Sequence, residues 1–182
     1  MNIAIQGDLN TGVTAKDVIL GIISQYGTDF GTGYVVEFTG TSIRQMSMEE
    51  RMTICNMAIE AGARAGLIAP DETTFTYLKG RQHAPSGDAF DLAKKEWISL
   101  VSDTDATYDT TLNFDLATLI PQVTWGTSPS MGANITDVVP SPSDFENPDD
   151  QKSCEQALSY MGLTSGTPMT DINIDFAFIG GS

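Results

Sequence analysis

Short apolar runs alternate with capped helical patterns over the first 79 residues, and this alternation constrains the fold most. Residues 1–6 alternate apolar and polar side chains, and residues 34–38 form an apolar run, so both are predicted strands. Between them, Thr14 with Asp17 forms a variant capping box that predicts a helix ending at Gly27. Strands that alternate with helices of this length are typical of βαβ units. We therefore expect an α/β fold with a layered, largely parallel sheet and flanking helices.

The same alternation continues along the next segment. Ser47 with Glu50 forms a second capping box, and the helix that it opens is expected to end at Gly62. Residues 65–69 are predicted to form a short buried strand, and residues 70–79 a helix that begins at the sequence Pro-Asp-Glu.

After residue 80 the pattern is less regular. The predicted elements are an amphipathic helix over residues 90–102, a strand over 108–114, a long irregular segment over 121–148, a helix over 149–161 and a strand over 174–179 that stops at Gly180-Gly181-Ser182. We expect residues 1–120 to form an α/β domain. Residues 121–182 are expected to form a traversing segment, a helix and a terminal strand.

Charge and hydropathy exclude two classes of partner. The 182 residues include 9 basic and 24 acidic side chains, for a net charge of −15. No basic stripe is present to neutralise phosphates, so we expect no nucleic-acid partner. No apolar run approaches the roughly 20 residues of a membrane helix, so we expect no membrane association. All four arginines precede residue 82, which is where an anionic ligand would find partners.

The chain has few residues that could hold a metal. Cys55 and Cys154 are far apart in sequence, and we interpret both as reduced core thiols in the cytoplasm or another reducing compartment such as an organelle matrix. Two isolated thiols cannot supply the ligands of an iron–sulfur cluster. The lone histidine, His83, excludes a histidine-based metal site or triad and is expected at the surface. Gly31-Thr32-Gly33 precedes a strand, which indicates a turn rather than a phosphate loop.

Asn56 and Glu60 are the candidates for chemistry. Residues four apart on a helix lie on one face, so an amide and a carboxylate can grip one small polar ligand together. The surrounding residues 53–66 are largely small and apolar, which predicts burial on most sides, where an unpaired carboxylate is costly. The alternative is structural: Glu60 pairs with Arg64, four residues on, at the surface.

Several segments resemble one enzyme family as a set: residues 14–20, 31–38, 47–49, 53–66, 68–75, 124–129 and 160–163. They are similar to the large subunits of 3-isopropylmalate dehydratase, in the aconitase superfamily. The segment with Asn56 and Glu60 resembles aconitases generally. Ala-Pro-Asp-Glu-Thr-Thr-Phe at residues 69–75 and Trp-Gly-Thr-Ser-Pro at residues 125–129 resemble the leucine-biosynthesis branch.

The resemblance implies an aconitase-type middle domain of a hydro-lyase. That enzyme would interconvert 2-isopropylmalate and 3-isopropylmalate at a 4Fe–4S cluster, with homoaconitate or citrate as alternative substrates. Glu60 would hydrogen-bond the iron-bound hydroxyl or water, and Asn56 would orient that region. The implied partners are the remaining domains of the large subunit, a small swivel-domain subunit and the 2-hydroxy acid substrate.

The departures from the family pattern set a second expectation. The histidines of the family's first domain and the cysteines that hold its cluster have no counterpart here. We therefore expect a middle segment that binds no cluster and is inactive alone, with an exposed apolar surface or self-association where other domains would pack. The rival interpretation is a non-catalytic truncated relative that binds a protein or a small anion.

Overall fold

The computed structural model describes residues 1–180, and its centre is a four-stranded parallel sheet. The strands are β1 (Asn2–Gln6), β2 (Val35–Thr39), β3 (Ala65–Leu67) and β4 (Thr111–Asp115). Their spatial order is β3-β2-β1-β4, and every neighbouring pair is parallel. The predicted α/β fold is confirmed. The prediction of a buried strand at 65–69 is wrong in one respect, because β3 lies at an edge and is only partly covered.

Two helices cover one face of this sheet. They are α1 (Ala15–Tyr26) and α3 (Met48–Met57), and the short α2 (Thr41–Gln45) leads from β2 into α3. Alternate strand residues point at these helices and are almost fully buried, as the two-residue period of a strand requires. Each such aliphatic side chain contributes about 1.5–3 kcal/mol on burial. The centre of this core consists of Ile3, Ile5, Val18, Ile19, Ile22, Ile23, Val36, Phe38 and Ile54.

The predicted limits of α1 are confirmed. The Asp17 carboxylate accepts a hydrogen bond of 2.7 Å from the backbone N–H of Thr14, so the capping box closes the first turn. Gly27 follows the last turn with a φ of 92°, a conformation that residues with a side chain rarely adopt.

The opposite face of the sheet is more polar and more open. It carries Asn2, Glu37 and Thr39, and the hydroxyl of Thr39 donates to Asn2 Oδ1 at 2.8 Å. The connection formed by residues 99–110 reaches this face, where the side chains of Ser102 and Tyr108 bond to Glu37. We call this connection the strap.

Two helices precede the strap and pack mainly on each other. They are α4 (Glu72–Leu78) and α5 (Asp88–Ile98). The rings of Phe75 and Trp97 stack at 6.0 Å, and Phe90 meets Trp97 edge-on at 5.7 Å. The predicted helix over 90–102 extends too far, because α5 ends at Ile98. Its expected apolar face is largely exposed, with only Phe90 buried.

The predicted irregular segment over 121–148 contains regular structure, so that prediction is wrong in part. Strands β5 (Gln122–Thr124) and β6 (Gly132–Asn134) form an antiparallel hairpin. The hairpin docks on α1, where Asp17 Oδ1 accepts from the Gln122 backbone N–H at 2.7 Å. Strands of three residues are too short for the alternation of apolar and polar side chains to predict them from sequence.

A second apolar cluster lies beneath this hairpin. Its main helix, α6 (Pro148–Met161), ends at Gly162 in the left-handed conformation, close to the predicted limits. The buried members of the cluster are Trp125, Val139, Cys154, Ala157, Leu158 and Met169.

The predicted strand over residues 174–179 is wrong. The segment pairs with no strand among residues 1–180, and Phe176, Phe178 and Ile179 are each 96% exposed. Its alternating pattern has no partner edge to bury it, whereas burial of one face is what holds a strand in place. Gly181 and Ser182, named as its end, lie outside the described residues. Within residues 1–180, no helix is both long and apolar enough to span a membrane.

Candidate functional site

The helix that carries Asn56 begins as its sequence predicts. The Glu50 carboxylate accepts from the Ser47 backbone N–H at 2.7 Å, and Ser47 Oγ accepts from the Glu50 N–H at 3.3 Å. These reciprocal bonds satisfy two backbone donors at the N-terminus of α3.

The same helix ends earlier than predicted, at Met57 rather than at Gly62. Glu60 therefore lies in the turn that follows α3, one turn beyond Asn56. Ile54, Met57, Ala58 and Ala61 are buried at spacings of three and four residues, so the inward side of the segment continues through the turn.

Asn56 and Glu60 both lie on the outward side and are exposed. Ile59, which precedes Glu60 in sequence, is also 59% exposed. The prediction of burial on most sides is wrong for this side of the segment. The structural alternative, a pair between Glu60 and Arg64, does not form, because the ion pairs among residues 1–180 are Arg51–Asp71 and Lys94–Glu72. The Glu60 carboxylate and the Asn56 amide are consequently available to a ligand.

The turn that contains Glu60, residues 58–63, is hydrogen-bonded to the segment that precedes β2; we call it the Glu60 turn. The Gly31 backbone N–H donates to the Ala61 carbonyl at 2.8 Å, and the Arg64 N–H donates to the Tyr34 carbonyl at 2.8 Å. A Cβ at Gly31 would stand 2.8 Å from the Ala61 oxygen, so only glycine allows this approach. The Gly31-Thr32-Gly33 turn is confirmed, and its function is to hold the Glu60 turn at the edge of the sheet where β2 and β3 begin.

A buried arginine fixes the first turn of α3. Arg51 is 3% exposed and makes two hydrogen bonds of 2.8 Å to the Asp71 carboxylate at the N-terminus of α4. It also donates to the carbonyls of Met46 at 3.0 Å and Arg44 at 3.1 Å. Four of the five N–H donors of the guanidinium are thus used inside the protein. Because Arg51 is also buried, it is not one of the arginines that could bind an external anion.

The strand order changes direction between β1 and β4. The crevice at this point is occupied by the loop that carries Asn10. Asn10 Nδ2 donates to the carbonyls of Leu116, Ala117 and Leu119 at 3.2, 3.2 and 2.8 Å. Ligands of open α/β sheets often bind at this position. At the N-terminus of α1 beside it, the Asp17 carboxylate accepts from the Thr14 backbone N–H at 2.7 Å, so this donor is not free for an anion.

Two larger cavities, of about 600 and 750 Å³, lie between α1 and the β5–β6 hairpin. They share Ser24, whose buried Oγ has no hydrogen-bond partner among residues 1–180. Neither cavity contains Asn56 or Glu60, so the structure does not connect them with the predicted residues.

The comparison with known families supports the interpretation of the α3 segment. A model of the Aconitase family (aconitate hydratase) matches residues 1–182. The chain belongs to the Aconitase family. The parallel sheet with flanking helices is consistent with an aconitase-type domain. Membership indicates a hydro-lyase type of chemistry, and members of the Aconitase family usually carry a 4Fe–4S cluster.

The residues of this chain do not fit such a cluster. Burial raises the pKa of the half-buried Cys55 thiol, and burial, then Asp144 and Glu155, raise that of Cys154, so both favour the protonated form that does not ligate iron. Within the described range, no group of three or more His, Cys, Asp or Glu side chains converges to hold a metal. His83 is exposed, as predicted.

Three polar arrangements of this Aconitase-family chain were not predicted. They are the Arg51–Asp71 pair, the three bonds of Asn10 and the bonds of Ser102 and Tyr108 to Glu37. Each arrangement joins residues that are 20 or more positions apart in sequence. Local sequence patterns do not predict contacts of that kind. The first turn of α3, Met48-Glu49-Glu50-Arg51, is mostly charged, so its sequence gives no signal that Arg51 is buried.

Proposed function

We propose that this chain is a middle segment of the large subunit of 3-isopropylmalate dehydratase, the enzyme that interconverts 2-isopropylmalate and 3-isopropylmalate. The family match supports the hydro-lyase class. The two motifs at residues 69–75 and 125–129 favour the leucine-biosynthesis branch. The observation on which the proposal depends is the exposure of Asn56 and Glu60 on one side of the α3 segment.

Glu60 is the proton-transferring group in this proposal. Dehydration of a 2-hydroxy acid requires a proton for the departing hydroxyl, and rehydration requires its removal from the entering water. A carboxyl group held by a rigid turn can do both. Asn56, one turn away, donates or accepts hydrogen bonds without adding charge, which fixes the orientation of the hydroxyl.

The cluster and the rest of the site would come from other parts of the enzyme. The 4Fe–4S cluster of the intact enzyme requires thiolates that this chain does not bring together. The remaining domains of the large subunit and a small subunit would complete the substrate site. Met52 and Ile59, exposed on the same side as Asn56, are apolar contacts suited to such a neighbour. We place the enzyme in the cytoplasm or another reducing compartment.

The substrate assignment rests on sequence motifs, with homoaconitate and citrate as alternatives. The test is to assemble the enzyme from the gene that encodes this segment, with its small subunit, and to compare turnover of the three acids. Conversion of 2-isopropylmalate at a kcat/KM at least about tenfold above the others supports the proposal. Preference for citrate or homoaconitate contradicts the leucine-branch assignment.

The segment alone provides a second test. Purified chain reconstituted with iron and sulfide is expected to retain no stoichiometric cluster and to show no turnover. Stoichiometric cluster or real turnover by the 182-residue chain would contradict the proposal that other parts complete the site.

A further inference from the structure

A cavity of about 260 Å³ lies where β2 and β3 end, across the sheet from the Glu60 turn. Glu37 and Thr39 of β2 form its floor, and residues 68–71 after β3 form one wall. The strap forms the other side. Ligands of open α/β sheets bind outside the carboxyl ends of strands. The volume is just below the range of about 300–1,000 Å³ for drug-sized ligands, so it suits a small metabolite.

Glu37 is a half-buried carboxylate with one oxygen free. Its Oε2 accepts hydrogen bonds from Ser102 Oγ at 2.8 Å and from the Tyr108 hydroxyl at 2.7 Å. Within residues 1–180, Oε1 takes no hydrogen bond and no basic side chain pairs with the carboxylate. An ammonium group is the donor that such an oxygen binds best, because the hydrogen bond is charge-assisted.

Arg44 brings an unpaired positive charge to the same cavity. The adjacent carboxylate, Asp71, is already held by Arg51 through two bonds of 2.8 Å. Within the described chain, the Arg44 guanidinium has no ion-pair partner. Arginine binds carboxylates through two parallel hydrogen bonds, so Arg44 favours a ligand carboxylate.

The remaining lining consists of the Asp103 side chain of the strap and of several apolar residues. Ile43 and Ile68 line the cavity. Val101 of the strap also lines it and is 48% exposed, so a ligand could bury more of this side chain. Covering such surface stabilises a complex by roughly 25 cal/mol per Å² of apolar area.

We propose that this cavity binds a small zwitterion with an apolar side chain, of the α-amino acid class. Arg44 holds the carboxylate, Glu37 holds the ammonium group, and Ile68 and Val101 contact the side chain. The site uses neither Asn56 nor Glu60, so it is independent of the proposed function.

The first experiment is isothermal titration of the full chain with L-leucine as the probe. Glycine removes the side chain, leucinamide removes the carboxylate and 4-methylpentanoate removes the ammonium group. Leucine is expected to bind in the micromolar to millimolar range, and each of the other three at least about tenfold more weakly. Absence of leucine binding at millimolar concentrations overturns the proposal, as does equal binding of any of the three.

Matched variants locate the site. Arg44→Gln is expected to weaken leucine binding at least about tenfold, and Arg64→Gln, at another exposed arginine, to leave it unchanged. The Arg44 side chain is exposed and makes no ion pair among residues 1–180, so Arg44→Gln is expected to fold normally and to decide the question. Unchanged affinity in Arg44→Gln, or equal loss in both variants, refutes the site.

Two glutamate variants separate the inference from the proposed function. Glu37→Gln is expected to weaken leucine binding, with circular dichroism confirming that the chain remains folded. Glu60→Gln is expected to leave leucine binding intact. Loss of leucine binding in Glu60→Gln would contradict the placement of this site at the far edge of the sheet.

Discussion

Asp71→Asn is expected to destabilise the chain strongly, because it leaves the Arg51 guanidinium buried without a counter-ion. Arg51 is 3% exposed, and two of its four hydrogen bonds go to the Asp71 oxygens at 2.8 Å. An asparagine keeps the size of the side chain and one acceptor oxygen. It loses the negative charge, and its amide N–H₂ group cannot bond to the guanidinium, which has donors and no acceptor.

The magnitude follows from the burial of the two partners. Removing one member of a buried ion pair costs about 3–5 kcal/mol. The Asp71 side chain is 33% exposed, so water can partly solvate the cation in the variant, and we take the lower end, about 3 kcal/mol. With a urea m value of about 2 kcal/mol/M, the unfolding midpoint should fall by about 1.5 M.

Urea unfolding followed by circular dichroism at pH 7 measures this change. Glu72→Gln is the matched control, because Glu72 pairs with Lys94 at 2.7 Å but its side chain is 76% exposed. An exposed pair of that kind contributes about 0–1 kcal/mol. If Asp71→Asn costs no more than Glu72→Gln, the reasoning from burial is refuted.

The same pair predicts a dependence on pH. Burial alone raises the pKa of Asp71, but hydrogen bonds from Arg51 and from the N–H groups of Thr74 and Thr73 outweigh it, so the pKa is lowered overall. A lowered folded-state pKa stabilises the fold above the unfolded value of about 3.9. That contribution is lost as pH falls through the folded pKa. Stability should therefore decline less steeply below about pH 4 in Asp71→Asn than in the natural chain.

Three further outcomes are expected. Gly31→Ala should lower the unfolding free energy by about 1–3 kcal/mol, since its Cβ would meet a backbone oxygen at 2.8 Å; an unchanged urea midpoint would contradict the close approach. Cys55 should react with a disulfide reagent before Cys154, since Cys154 is buried, and both more slowly than a free thiol at pH 8; the reverse order would count against the second cluster. Replacing Phe176 and Phe178 by serine should reduce dye binding and self-association in size-exclusion chromatography, and no change would show that the exposed tail is not their source.

The sequence predicts the parallel sheet well because its helices begin and end with strong local signals. The capping pairs Thr14–Asp17 and Ser47–Glu50 both form as expected. The predicted helix end at Gly62 is wrong because residues 58–62 form tighter turns, in which the Ala61 and Gly62 N–H groups donate to the Ala58 and Ile59 carbonyls. Gly62, with a φ of 78°, marks the end of these turns rather than the end of the α-helix.

The identity of the candidate site stays a prediction, and the predicted burial around it is wrong on the outward side. Asn56 and Glu60 are chosen on spacing and resemblance, and the structure places both at the surface. Their burial was overestimated because small apolar residues indicate a packed segment without saying which side is covered. One side of the Glu37 cavity is formed by the strap, whose Ser102 bonds to Glu37 from 65 positions away in sequence. Local sequence patterns do not predict a contact over such a separation.

The most direct measurement is the kcat of the enzyme that we propose, assembled from its large and small subunits, with Glu60→Gln in this segment. General acid–base catalysis contributes about 10²–10⁴-fold, so kcat should fall at least about 100-fold. Glu49→Gln, at an exposed position on the same helix, should leave it unchanged. A Glu60→Gln enzyme with undiminished kcat would contradict the claim that this turn presents the proton-transferring group to the substrate.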